Sequence, residues 1–517
     1  MKDGGKNPSK ELYRQLRVLP WEQLWAGEVA QFDRATPPER MSRVAVIRAV
    51  GVVFSESGPA EQQEEVKRWL LGLLQDSCEK VRRYAIAALP KIGAGPSGEG
   101  ELLSLLQKTT TEREKKFLGQ TLDKIGGAAT LEVLQGTRGI LPQTEQKVKA
   151  SVARQQSPST VRMDGVLSDF TGLRIHLRGR KGLEQIVRQE VEDSRLMRGK
   201  FRIVEVTPGV VALRPLAPFS LGDLYTLRCF GTVGFVLGST RPSSEADSIE
   251  PIASIIASPL SRRVFKTFTE GSLRYRLNFV AKGHQRGAVR LIANRAYALG
   301  PEILNDAQTA PWEIEIHSAG RGNSVELRPR LTPDPRFYYR QADVPAASHP
   351  PLGACMARMA GRFDGEIVWD PFCGSGLELI ERALLGGVRR AIGTDLSPEA
   401  VAITEGNFAA AKITGVPTNF ACCDFRDFAS IEGLGPNSVT LIVTNPPMGR
   451  RVPIGDLRGL IMDLLSIAAT VLKPGGRLVF ANPLLNSTCP PSLKLQSRQV
   501  VDFAGFNCRL ETYRKLR

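Results

Sequence analysis

The clearest regularity in the chain is a series of short apolar runs in its last third, each closed by a polar or small residue. Ile367-Val368-Trp369 leads into Asp370-Pro371-Phe372-Cys373-Gly374-Ser375-Gly376, and Leu377, Leu379, Ile380, Ala383 and Leu384 then recur at helical spacing. This predicts strand, tight turn and helix. Ala391 to Asp395 reads as a second strand, followed by a helix start with Ser397 as N-cap and Pro398 at its first position. Asn419 to Phe425 reads as a third strand and Val439 to Thr444 as a fourth, ending at Asn445-Pro446-Pro447-Met448-Gly449. Leu457 to Leu472 has a helical apolar stripe, Lys473 to Gly476 a turn, and Arg477 to Ala481 a strand. Phe503 to Leu510 and Thr512 to Leu516 are expected to form a closing antiparallel pair. Strands alternating with helices specify a Rossmann-like, doubly wound α/β sheet, whose ligands lie at the carboxyl ends of the strands.

The front of the chain follows a different period. Val81 to Gly93 aligns with Glu114 to Gly126 at an offset of 33 residues (124 − 91, taking Lys124 against Lys91), and Arg43 to Val50 is a fainter copy. Such units bury their faces only by stacking on one another. They resemble short HEAT-type repeats, and a small helical bundle is the plainer reading; the region is expected over residues 1–142. Residues 143–166 are polar and lightly basic and are read as a linker. The pattern then changes to strand at Leu173 to Leu177, helix from Gly182-Leu183-Glu184, and strand at Phe201 to Val206 and Val210 to Leu213.

The strand ends carry the candidate chemistry. Gly374 and Gly376 permit a close backbone approach, but the third glycine of the dinucleotide fingerprint is replaced by Leu379. An acid just before the turn, Asp370, would repel a pyrophosphate and attract an ammonium group. S-adenosyl-L-methionine carries an ammonium and no phosphate. Asp395 could accept from both ribose hydroxyls, and Asp424 from the adenine amine, with Leu396 and Phe425 enclosing the ring. Any one of these acids could simply cap a helix, but three in order along one sheet argue for a donor site. At the fourth strand, the Asn445 side-chain oxygen and the Pro446 carbonyl could accept the two hydrogens of an exocyclic base amine. The lone pair of that nitrogen would then point at the donor methyl. Pro446 and Pro447 fix the backbone beforehand.

Together Asp370 to Gly376, Asp395, Asp424 and Asn445 to Gly449 resemble class I S-adenosylmethionine-dependent methyltransferases that modify exocyclic amines. Phe337-Tyr338-Tyr339-Arg340 and Ala347 to Leu352 resemble the segment preceding the catalytic domain of THUMP-containing RNA guanine-N2 methyltransferases. The helix-opening Gly182-Leu183-Glu184 resembles the start of THUMP modules. The resemblance implies a methyltransferase domain over 336–517, an RNA-binding region over 167–335, structured RNA (tRNA or rRNA) as substrate and N2-methylguanosine as product. The family usually has an aromatic after the two prolines. This chain has Met448, whose soft sulfur can still pack on a ring.

Charge agrees with an RNA substrate: the net charge of +16 and a pI near 9.6 favour a polyanionic partner. The densest basic run holds Arg262, Arg263, Lys266, Arg274, Arg276, Lys282, Arg286 and Arg290 against one acid, Glu270, with Phe265, Phe268 and Tyr275 interleaved. It is the candidate RNA contact. The eight cysteines show no zinc or disulfide spacing, and the four histidines show no metal-ligand spacing; His349 is a candidate wall of the donor pocket. No metal is expected. No apolar run reaches membrane-span length and the cysteine usage suits a reducing compartment, so a cytoplasmic enzyme is expected, whose helical repeats could dock a protein partner or add a face for RNA. Two alternatives stay open: methylation of adenine N6 or cytosine N4 in RNA or DNA, and a non-catalytic RNA-binding or assembly factor that keeps the fold.

Overall fold

The computed structural model describes residues 8–94, 98–136, 142–156, 158–241, 246–280, 285–319, 322–331, 333–345, 347–449, 454–484, 486, 488–503 and 505–516. The chain divides into two compact units. One comprises residues 1–160, 240–258 and 269–323; the other comprises 161–239, 259–268 and 324–517. Because the chain crosses between them, the boundaries expected at 142, 166 and 335 do not coincide with the units.

In the first unit, helices Ala45–Ser57, Glu79–Ala88 and Glu112–Ile125 pack one on the next. The last two start 112 − 79 = 33 residues apart, as the apolar pattern required. Each turns small and branched residues inward: Val46, Val50, Ala85, Ile86, Leu118 and Leu122 are buried in one core with Trp21 and Phe32. The expected linker is instead largely a helix, Pro142–Gln156. Its few apolar positions suffice to anchor it, since Val148 and Ala150 are buried. Tyr297 on helix Arg286–Leu299 donates to its Glu145. Strand Leu273–Phe279 pairs in parallel with Ile303–Asn305 and Trp312–Ala319.

The second unit contains strand Arg174–Arg178, antiparallel to both Val210–Pro215 and Thr232–Thr240, and helix Glu184–Asp193 packs against Val210–Pro215. Its larger part is a seven-stranded sheet: β1 (Glu366–Asp370), β2 (Val388–Asp395), β3 (Thr418–Cys422), β4 (Val439–Thr444), β5 (Leu472–Asn482), β6 (Leu493–Asp502) and β7 (Asn507–Lys515). The order is β3-β2-β1-β4-β5-β7-β6, parallel through β5, with β7 antiparallel to its neighbours. Helices α1 (Pro350–Met359), α2 (Leu377–Leu384), α3 (Pro398–Ala410) and α4 (Leu457–Val471) accompany it. Ser397 caps α3 by accepting from the Ala400 N–H at 3.2 Å. Leu464, Leu465 and Ala468 of α4 pack on Trp369, Ile442, Leu478 and Phe480 of the sheet.

Two expectations at the end of the chain shift. The closing hairpin is real, but its first strand is Leu493–Asp502 and its turn falls at Phe503 to Phe506, closed by Phe503 N–H donating to the Phe506 carbonyl at 2.8 Å. That first strand is the sheet edge and exposes most of its side chains, so it carries no apolar signal. The turn at Lys473 to Gly476 lies inside β5, where the register with β4 shifts. Asp424 and Phe425 fall beyond β3, which ends at an exposed Cys422 with a half-buried Cys423 after it.

Candidate methyl-donor and base site

A cavity of about 850 Å³ opens at the carboxyl ends of β1 to β4. Order reverses on the two sides of β1, which pairs with β2 on one side and β4 on the other. Such a switch point is where doubly wound sheets leave a crevice. The wall includes Gly374, Asp395, Leu396, Asp424, Phe425, Asn445, Pro446, Pro447 and Met448.

Asp370 is fully buried at the end of β1. One carboxylate oxygen accepts from Thr444 Oγ1 at 2.6 Å and from the Phe372 N–H at 3.0 Å. The other oxygen is buried with no hydrogen-bond partner. Burial, and then the neighbouring Glu378, push this carboxyl well above the usual range; burial raises Glu378 as well. A buried acid corner with an unsatisfied oxygen is complementary to a cationic group. Asp395 accepts from the Gly374 N–H and the Ser397 N–H, both at 3.0 Å, which fixes its carboxylate on the cavity wall. Asp424 caps the turn Phe425–Ser430 and pairs with Arg426 at 3.0 Å. Phe425 is buried against Phe372, with ring centroids 4.8 Å apart, while Leu396 is 71% exposed.

The two corner glycines differ. Gly374 has φ +53° and lies on the cavity wall. Gly376 has φ +78° and is not on that wall: a Cβ there would meet Thr404 Cγ2 of α3 at 3.0 Å. Its role corrects the expectation of ligand approach, because what it admits is a neighbouring helix.

At the end of β4, Asn445 donates from Nδ2 to Ser348 Oγ at 2.8 Å. Its Oδ1 is buried without a partner. An acceptor atom left unsatisfied in a cavity wall has the chemistry needed to take a hydrogen from an amine. Residues from distant segments complete the wall: Arg180, Ser348, His349, Glu378, Phe503 and Phe506. Of these only His349 was legible in the sequence. Its imidazole is pushed down to about 4 by burial and by the facing Arg180, Arg340 and Arg336. Arg180 stands over the Phe503 ring at 5.5 Å and donates to the Asp502 carbonyl at 2.9 Å.

The basic run is not one surface feature. Arg262, Arg263 and Lys266 lie on helix Pro259–Phe268 of the second unit, whereas Arg274, Arg276 and Arg286 belong to the first. Arg274 is buried, pairing with Asp306 at 3.1 Å, and Arg263 pairs with Asp169 at 3.2 Å. Phe265, Phe268 and Tyr275 are core residues and offer no stacking face. Lys266, Arg276 and Arg286 are exposed, and Lys282 lies outside the described residues.

Fold, strand order and cavity define a class I methyltransferase domain. The model of the RMKL-like methyltransferase domain matches residues 338–486. The chain is 30% identical over 185 residues to a tRNA (guanine(10)-N2)-dimethyltransferase of Methanothermobacter thermautotrophicus, covering 35% of this chain and 49% of that protein. It is also 30% identical over 132 residues to a relative in Methanothermococcus thermolithotrophicus, 25% of this chain and 78% of that one. The crystal structure of TrmN from Thermus thermophilus aligns with TM-score 0.54 at 19% identity, over 66% of this chain and all (100%) of that one. Residues 338–486 carry an RMKL-like methyltransferase domain, and the chain belongs to the same family as the Methanothermococcus relative. It spans about half (49% and 45%) of the length of two of the curated relatives it matches. The donor of this class is S-adenosyl-L-methionine; Gly374, Asp395 and Asp424 line the cavity, whereas Asp370 is fully buried and does not line it, and its one unsatisfied oxygen belongs to an acid that a cationic ammonium end would complement. Among the described residues no helix is long and apolar enough to cross a membrane.

Proposed function

We infer that this protein transfers a methyl group to the exocyclic N2 amine of a guanosine in structured RNA. The observation that carries the reading is the partnerless Oδ1 of Asn445, a residue of the same cavity wall as Gly374 and Asp395. S-adenosylmethionine supplies an electrophilic methyl on a sulfonium. Asp370 and Gly374 hold its amino-acid end, Asp395 its ribose, and Asp424 with Leu396 and Phe425 its adenine. Asn445 Oδ1 and the Pro446 carbonyl accept the two amine hydrogens and turn the nitrogen lone pair toward the donor. Pro447 stiffens the hinge, and Met448 packs beside the base. No strong base is required, because the alkylated ammonium is acidic. Only a base swung out of its stack can reach this depth.

The names of the relatives support guanine N2 as the acceptor and tRNA as the RNA. The strand and helix order over 174–215, with the exposed Lys266, Arg276 and Arg286, supports reading the middle of the chain as THUMP-like and RNA-binding. The helices stacked at a 33-residue offset (112 − 79) support a HEAT-like region that docks a protein partner. A cytoplasmic enzyme fits these roles.

Asn445→Ala tests the site. Calorimetry should show S-adenosylmethionine binding unchanged while methyl transfer from labelled donor to RNA falls by roughly 10²-fold or more, the scale for losing one aimed polar group. Unchanged transfer would overturn the assignment.

A further inference from the structure

The two prolines fix the backbone at the hinge, but they leave the Asn445 side-chain torsion free. An amide is symmetric in outline and opposite in polarity at its two ends. Turned one way it offers an acceptor to an incoming amine. Turned the other way it opposes N–H to N–H. Something must select the orientation.

The neighbouring side chains do so. Ser348 Oγ donates to Glu378 Oε1. Both residues are buried, Ser348 at 8% and Glu378 at 4% exposure, and both line the cavity with Asn445. That bond commits the single hydroxyl proton of Ser348 to the carboxyl. The Ser348 oxygen is then left as an acceptor, and the only Asn445 atom able to donate to it is Nδ2, found at 2.8 Å. Oδ1 is thereby turned away from Ser348, and it has no partner. Ser348 comes from the segment before α1, Glu378 from the first turn of α2 and Asn445 from the end of β4. Three separate elements converge on one torsion.

We propose that Glu378, acting through Ser348, is a positioning residue that holds the Asn445 amide with its oxygen presented to the substrate amine. The proposal rests on Asn445 being the amine acceptor. It adds two residues that touch neither reacting atom and that act on the amide through hydrogen-bond polarity.

The test is a double-mutant cycle in the full-length protein, with kcat measured on an RNA substrate and donor affinity by calorimetry. Ser348→Ala strands Nδ2 and should lower kcat roughly tenfold or more, the cost of a buried unsatisfied donor, with KM for RNA and Kd for S-adenosylmethionine unchanged. Ser348→Thr keeps the hydroxyl and should restore kcat to within about threefold of native, well under the loss for a stranded donor. In the Asn445→Asp background, a carboxylate presents oxygen whichever way it turns, so adding Ser348→Ala should change kcat by no more than about twofold. Equal losses in both backgrounds, or a Ser348→Thr loss matching that of Ser348→Ala, would overturn the proposal. Selective 15N labelling of asparagine reads the torsion without any turnover. The Asn445 amide signal should show one hydrogen-bonded, exchange-protected proton that disappears in Ser348→Ala; its persistence would also overturn the proposal. A native protein that methylates no amine yet shows this signal would refute the functional reading and leave the relay standing.

Discussion

Replacing the two corner glycines one at a time separates the ligand-facing position from the packing position. Gly374→Ala places a left-handed residue at φ +53° where the added Cβ meets Val344 Cγ2 at 3.5 Å and the Phe372 carbonyl oxygen at 3.9 Å, both ordinary contacts. The backbone term is about 1–2 kcal/mol, partly offset by about 0.4–1 kcal/mol from the stiffer unfolded chain. Stability should therefore fall by only about 1 kcal/mol. The new methyl stands beside the donor corner, so affinity for S-adenosylmethionine should drop about tenfold or more, equivalent to about 1.4 kcal/mol. Gly376→Ala meets the same backbone term at φ +78°, and its Cβ would also press on Thr404 Cγ2 at 3.0 Å and Cα at 3.4 Å. Crowding adds about 1–3 kcal/mol to the net backbone cost of about 1 kcal/mol, for a total near 2–4 kcal/mol. Donor affinity of the folded protein should stay within about threefold, under 1 kcal/mol. Urea denaturation followed by fluorescence gives the first quantity and calorimetry the second. The reasoning fails if Gly376→Ala removes donor binding while leaving the unfolding midpoint in place, because that residue would then face the ligand.

Two other outcomes follow from the buried charges. Burial raises Asp370, so its contribution to the stability of the free protein is present at low pH and is lost as pH rises through the folded-state value. A cation bound beside it reverses this preference, so S-adenosylmethionine binding should release protons; titrations in buffers of different ionisation enthalpy would show it, and zero linkage would contradict the cationic corner. Glu381 takes both Arg228 Nε and Nη2 at 2.7 Å and also the Tyr339 hydroxyl, and its side chain is only 2% exposed. Glu381→Ala leaves a largely buried guanidinium unpaired and should cost about 3–5 kcal/mol, read as a lower midpoint in chemical denaturation; a change under about 1 kcal/mol would place this pair among solvent-screened ones.

Parts of the chain that report on their own environment were legible in the sequence. The strand Val439–Thr444 was readable to the residue because it is buried along most of its length and two prolines stop it. Ser397-Pro398 marked a helix start because capping is local. Asp395 and Asn445 could be placed on the cavity wall because each lies at the end of a strand whose apolar run marks it in the sequence. Ser348 and Glu378 were missed because their meaning lies in contacts across 30 and 97 positions of sequence. The charge run misled because linear density of arginine says nothing about which side chains are already paired, as Arg274 is with Asp306. Helix Pro142–Gln156 resembled a linker because a mostly polar helix needs only a few anchoring residues, such as Val148.

The account stands on the donor corner and the Asn-Pro-Pro hinge acting on one base. Incubating the purified protein with unmodified tRNA and methyl-labelled S-adenosylmethionine, then digesting the RNA to nucleosides for mass spectrometry, tests this directly. The label is predicted in N2-methylated guanosine and lost in Asn445→Ala. Label in N6-methyladenosine or N4-methylcytidine, or RNA that stays unlabelled although the protein binds the donor, would contradict it.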